Sequence, residues 1–115
     1  MRPSTAKDLW EMLLGVFPGF IQDCSREDFR EAAASGEATL HMVMREFCSH
    51  YSCRQEQFSA RQLRSLGDIV NDAVTVDDDL ENAMATCFLE HLRQVRGYEA
   101  LAPYLSSAAK ARTHA

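Results

Sequence analysis

The placement of proline constrains the fold of this chain more than any other feature of its sequence. The three prolines are Pro3, Pro18 and Pro103, so no proline breaks a helix between Pro18 and Pro103. Apolar residues recur three and four positions apart through this stretch, and the alternation typical of strands is absent. The sequence therefore predicts an all-α fold.

Cap and stop residues divide the apolar pattern into five to six helices. The residues from Ser59 to Gln62 form a capping box, and Asp77 or Asp78 caps a long helix that Gly97 ends. The predicted helices cover about residues 5–17, 25–35, 37–52, 59–76, 77–97 and 98–105. Short connections favour an antiparallel bundle. A short HEAT-like stack is the alternative, although no repeat period supports it.

Size and composition are those of one globular domain. The chain has 115 residues, of which 46% are hydrophobic and 25% charged. We expect residues 1–105 to form a single helical domain and residues 106–115 to be a frayed helix or a loose tail. No apolar run is long enough to span a membrane, and the N-terminus lacks the apolar core of a secretory signal, so we expect a cytoplasmic protein.

Acidic residues are concentrated in one part of the sequence. The segment 65–92 contains seven acids and no Lys or Arg, within a chain whose net charge is −5. This charge argues against nucleic acid and favours a protein partner with a basic surface. We expect the binding surface to comprise six acids, which are Asp68, Asp72, Asp77, Asp78, Asp79 and Glu81.

No residue pattern predicts catalysis, a cofactor or a metal. Cys48, His50 and Cys53 suggest zinc, but the spacing is wrong and no second ligand pair follows. His91 falls in the apolar stripe, which predicts a half-buried histidine with a hydrogen-bond partner. The four cysteines are expected to be free thiols, and the five glycines to be isolated helix stops. The sequence therefore favours a protein that is not an enzyme.

Three segments resemble a family of small bacterial all-helical proteins of unassigned function. The first is an acidic turn that leads into an Asn-Ala…Phe-Leu-Glu-x-Leu helix at residues 78–92, and similar segments lie at 42–47 and 98–105. The resemblance covers roughly residues 9–105. Members are similar in size, acidity and helical build to immunity proteins of bacterial toxin systems. The resemblance therefore implies an immunity-type protein that occludes a toxin through its acidic helical surface.

Two other functions are compatible with the sequence. A homodimeric structural or regulatory protein would present an exposed apolar patch on the helix at 37–52 or the helix at 80–95. A small hydrolase or metal enzyme would contain bound metal.

Overall fold

The computed structural model describes residues 2–23, 27–94 and 97–113. All regular structure in these residues is helical, which confirms the predicted all-α single domain. The α-helices are α1 (Ala6–Val16), α2 (Phe20–Asp23), α3 (Glu27–Ser35), α4 (Leu40–Arg54), α5 (Ala60–Ala73), α6 (Asp79–Cys87), α7 (Tyr98–Leu101) and α8 (Ser107–Ala111). Short 3₁₀ turns cover Gln55–Gln57, Leu89–His91 and Ala102–Tyr104. These eight α-helices exceed the expected five to six because α2 and α8 are additional short helices.

Side-chain caps begin several of these helices, as the sequence predicts. Ser59 accepts a hydrogen bond from the Gln62 backbone N–H, and the Gln62 side chain accepts one from the Ser59 N–H, which confirms the capping box. Asp78 is the residue that caps α6, through the Glu81 N–H. The cap expected at Ser25 lies outside the described residues.

The core surrounds α4, which packs against α1 and α6. Its buried side chains Met44, Phe47 and Tyr51 face this interior. Phe47 is central, with its ring centroid 5.2 Å from that of Phe17 and 5.7 Å from that of Phe88. The helix α4 contacts α6 more extensively than it contacts α5, although α5 follows α4 in the sequence. The described helices therefore do not form the consecutive pairs of a HEAT-like stack.

The helix expected to run on to Gly97 ends instead at Cys87. Phe88 leaves the helical conformation (φ −131°, ψ −64°), and its fully buried ring stands edge-on to Tyr51 at 5.5 Å. The 3₁₀ turn that follows leaves His91 exposed, so the prediction of a half-buried His91 is wrong. Packing of one aromatic ring has overridden the helical pattern here.

The segment from Ser106 to Thr113 differs from the frayed or loose tail that the sequence predicts. Ser106 caps α8 by accepting from the Ala109 N–H, and its own N–H donates to Asn71 Oδ1 on α5. Ala109 and Thr113 are fully buried. The C-terminal segment is therefore a docked part of the fold.

Within residues 2–23, 27–94 and 97–113, no helix has both the length and the apolar character needed to cross a bilayer.

Candidate functional site

The six acids predicted to bind a partner lie on α5, on α6 and in the turn between them, and we call this set the acidic corner. Asp68 and Asp72 are four residues apart on α5 and are both exposed, as are Asp77 and Asp79. Asp78 and Glu81 are partly buried at the start of α6. The structure thus gives the six carboxylates two different environments.

Arg2 links the end of α5 to the start of α6 through side-chain hydrogen bonds. Its Nε donates to the Asp72 carbonyl oxygen at 3.1 Å, and its Nη2 donates to the Ala73 carbonyl at 3.2 Å and to Asp78 Oδ1 at 2.7 Å. The hydrogen bond from Arg2, together with the Glu81 N–H, holds the pKa of Asp78 below its usual value. Asp78 therefore has a structural role as cap and ion-pair partner.

Glu81 is also used within the fold. Arg112 Nη1 lies 2.5 Å from Glu81 Oε2, and only 13% of the Glu81 side chain is exposed. Asp68, Asp77 and Asp79, in contrast, form no side-chain hydrogen bond or ion pair within the part of the chain that the structure describes. The sequence did not indicate this difference because Arg2 and Arg112 are near the chain ends, far from the acid-only segment.

Val76 is an apolar side chain that lies between Asp72 and Asp77 in the sequence of the acidic corner. It is 55% exposed and directly precedes Asp77 in the turn between α5 and α6. A hydrogen bond of 2.8 Å from the Asp78 N–H to the Val76 carbonyl oxygen restrains the backbone of this turn. An exposed apolar side chain that is next to exposed carboxylates in the sequence is a suitable anchor for a protein partner.

Apolar exposure is low elsewhere in the described residues. The large hydrophobic side chains that are exposed there are Val76 and Ile21, and neither lies on α4 or α6. The patch expected of the homodimeric alternative is therefore not found on those helices within the described residues.

A second polar cluster lies between α2 and the C-terminal half of α4, and it was not predicted from the sequence. Asp23, the last residue of α2, has its Oδ2 2.5 Å from Nδ1 of His50. Arg54, one turn further along α4, donates from Nε to Asp23 Oδ2 at 3.2 Å and from Nη2 to Oδ1 at 3.0 Å. Burial alone would raise the pKa of Asp23, but the hydrogen bonds from Arg54 and His50 lower it overall. Asp23 is thus an ionised carboxylate that orients His50.

Aromatic rings surround His50, which is only 4% exposed. Its ring centroid lies 5.3 Å from that of Phe20 and 5.5 Å from that of Phe58. Burial lowers the pKa of His50 more than the neighbouring Asp23 raises it, so the imidazole is neutral at neutral pH. A neutral imidazole that donates from Nδ1 to a carboxylate leaves Nε2 as an acceptor. Nε2 is buried and receives no hydrogen bond from the described residues.

A pocket of about 300 Å³ adjoins this histidine. Its walls include the aromatic side chains of Phe17 and Phe58, the backbone of Gly19, and polar groups of Gln22 and Arg54. A Cβ added to Gly19 would lie 4.0 Å from His50 Cε1, the atom bonded to both ring nitrogens. His50 itself lines the pocket, and its Cε1 is the ring atom nearest to Gly19.

The cysteines suggested by the sequence as zinc ligands do not converge on His50. Its Nδ1 is bound to Asp23, Cys53 is exposed, and burial raises the pKa of the Cys48 thiol. Across residues 2–23, 27–94 and 97–113, no group of three or more His, Cys, Asp or Glu side chains is arranged to hold a metal ion. Cys24 lies outside those residues.

The fold and these two sites define a small all-helical protein with an acidic corner and a separate histidine pocket. Comparisons with known protein families, with curated proteins and with solved structures found no match. The resemblance to a small bacterial helical family stays a prediction.

Proposed function

We propose that this protein is a protein–protein interaction module that docks its acidic corner on a basic surface of its partner. The observation that supports this function best is Val76, an exposed apolar side chain beside Asp77, with Asp79 also exposed nearby in sequence. Protein interfaces combine an apolar anchor with a polar rim in this way. The resemblance to immunity-type proteins extends the proposal to a toxin whose basic active-site cleft the acidic corner would occlude.

Val76 and the exposed carboxylates of Asp77 and Asp79 should contribute to partner binding in different ways. Exposed rim carboxylates mainly accelerate association with a basic partner, in a manner that salt screens. A buried apolar anchor mainly slows dissociation. Arg2, Asp78 and Glu81 would hold the corner in place before the partner arrives, which lowers the ordering cost of binding.

The test begins with capture of partners from the cells that naturally make the protein, followed by binding kinetics with the purified partner. We expect Asp77→Lys combined with Asp79→Lys to slow association by about 10-fold or more at low salt and to flatten its salt dependence. Val76→Ser should instead leave the association rate nearly unchanged and speed dissociation.

Matched controls come from acids and an apolar residue on other elements. Glu31→Lys combined with Glu37→Lys makes the same change in net charge at exposed positions. Ile21→Ser removes the second of the two large hydrophobic side chains that are exposed on the described residues. Equal association rates for the Asp77/Asp79 and Glu31/Glu37 variants would show that the acidic corner is not the docking surface. Capture of a nucleic acid in place of a protein would also contradict the proposal.

A further inference from the structure

We infer that the pocket beside His50 is a binding site for a small, neutral aromatic molecule that carries one hydroxyl or N–H donor. The inference is independent of the proposed partner surface, because it concerns different elements, namely α2, α4 and the loop that holds Phe58. It rests on a cavity, on a buried acceptor without a donor, and on a carboxylate that fixes the acceptor in place.

The first step concerns the acceptor. Nδ1 of His50 is hydrogen-bonded to Asp23, and Arg54 donates to both oxygens of that carboxylate and so holds it in place. Rotation of the imidazole would break the hydrogen bond between His50 and Asp23. The ring is therefore held in the tautomer that presents Nε2 as an acceptor. Buried acceptors are almost always paired in folded proteins, and Nε2 is the exception among the buried side-chain nitrogen and oxygen atoms of the described residues. A ligand that donates a hydrogen bond to Nε2 would satisfy it.

The second step concerns the shape and polarity of the pocket. Its volume of about 300 Å³ is at the lower end for small-molecule sites, which indicates a ligand of about one ring. Phe17 and Phe58 contribute aromatic wall, with ring centroids 4.6 Å apart, and this wall suits a flat apolar body. The Gln62 amide, also in the wall, is already used by Val16 and Ser59, so it does not compete for the ligand.

The third step concerns access. Nε2 is covered in this structure, so a donor reaches it only when a side chain at the pocket rim moves. The rim contains Gln22, which is exposed and whose side chain forms no hydrogen bond within the described residues. Movement of a rim side chain accompanies binding in many complexes and needs no backbone change.

The test uses phenol as the donor probe and toluene as its counterpart of similar shape without a donor. Binding is followed by ring ¹H–¹⁵N spectra, in which His50→Asn identifies the His50 signals. We expect saturable binding of phenol, a shift of the His50 Nε2 resonance, and an affinity for toluene weaker by about 3- to 10-fold, the contribution of one hydrogen bond.

A pair of glycine variants separates the pocket from general effects. Gly19→Leu places a side chain toward His50 Cε1, and the φ of Gly19 does not require glycine, so this variant should fold and should lose phenol binding. Gly15→Leu adds the same side chain to α1 where a Cβ would meet nothing within 4 Å, and it should bind phenol as the wild type does.

Three results would overturn the inference. They are the absence of saturable phenol binding, equal affinities for phenol and toluene, and phenol binding that Gly19→Leu does not weaken. Loss of partner binding by the acidic corner has no bearing on any of them, so the two proposals fail separately.

Discussion

At the scale of single residues, the behaviour of His50 depends on burial rather than on its sequence neighbours. The histidine lies among aromatic rings, and its one polar contact is with Asp23, 27 residues away. Because burial is the larger effect and lowers the pKa of His50, the folded protein binds fewer protons there than the unfolded chain does. The stability that neutral His50 provides is therefore complete above the ordinary histidine pKa of about 6.5 and declines as the pH falls below it.

The first prediction concerns this pH dependence. Between about pH 7.5 and pH 5.5, the wild-type free energy of unfolding should decrease, with a contribution from His50 of at most about 1.4 kcal/mol per pH unit. His50→Asn keeps a donor close to Asp23 but does not titrate, so it should be less stable at the higher pH and show a flatter profile. Urea unfolding followed by circular dichroism measures both. Asp23 does not contribute to the change in stability over this pH range. Its pKa is lowered in the fold, so its own effect on the free energy of unfolding appears only below about pH 4.

The control is His91→Asn, which removes an exposed histidine outside the cluster. Parallel profiles for wild type and His50→Asn would show that His50 does not couple protonation to folding.

The roles of some of these residues are predictable from the sequence, whereas the roles of others depend on how the helices pack. The sequence predicts Asp77 or Asp78 as the cap of α6, because capping is local, within three residues, and the structure shows that the cap is Asp78. The pairing of His50 with Asp23, and of Arg2 with Asp78, depends on how distant helices pack, and nothing in the spacing of these residues encodes it. The zinc hypothesis groups His50 with Cys48 and Cys53, its neighbours in the sequence, and does not point to Asp23.

At the scale of helices, α5 provides the docking face for the C-terminal segment. Gly67 allows close approach, since a Cβ there would lie only 2.7 Å from the Tyr104 carbonyl oxygen. One turn later, the Asn71 side chain donates to that same carbonyl at 3.0 Å and accepts from the Ser106 N–H at 2.8 Å. The expectation that glycine only ends helices was wrong here, because Gly67 is inside α5 and serves packing.

The second prediction compares two helical glycines. Gly15→Ala, in α1 with open space around it, should stabilise the protein by about 0.5–1 kcal/mol through the better helix propensity of alanine. Gly67→Ala should destabilise it by about 1–3 kcal/mol, because the Tyr104 backbone must move. Thermal and urea unfolding measure both. A stabilising Gly67→Ala would mean that the segment around Tyr104 is not packed on α5.

The third prediction concerns α8. Ser106→Ala removes the cap and should lower the free energy of unfolding by about 1 kcal/mol. Ser107→Ala, at the adjacent exposed position, should have an effect within about 0.5 kcal/mol of zero. Equal effects in urea unfolding would indicate that the segment is a loose tail, as the sequence alone suggests.

Helix positions were predictable from the sequence to the extent that periodicity and caps determine them. The helices expected at 37–52 and 59–76, observed as α4 (Leu40–Arg54) and α5 (Ala60–Ala73), were predictable because each has a continuous apolar stripe and the second also has a capping box. The end of α6 at Cys87 was not, since the stripe continues through Phe88 and Leu92 while tertiary packing of Phe88 breaks the helix. Short α2 and α8 are stabilised by contacts rather than by periodicity.

At the scale of the whole molecule, both ends of the described chain converge on the start of α6. Arg2 pairs with Asp78, and Arg112 pairs with Glu81. These pairs neutralise two acids of the acidic corner, while Asp68, Asp77 and Asp79 stay exposed. The charge that a partner would meet is therefore smaller and more localised than the acid-only segment of the sequence suggests.

The fourth prediction concerns the oligomeric state. A stable homodimer normally buries at least about 1,200 Å² in total, much of it apolar. Val76 and Ile21, the large hydrophobic side chains exposed on the described residues, are too few for this, and a net charge of −5 on each copy opposes association. Multi-angle light scattering at physiological salt should therefore give the monomer mass of 13.0 kDa at all micromolar concentrations tested. A concentration-dependent rise toward twice that mass would favour the homodimeric function, and restoration of the monomer by Val76→Ser would locate the interface at the acidic corner.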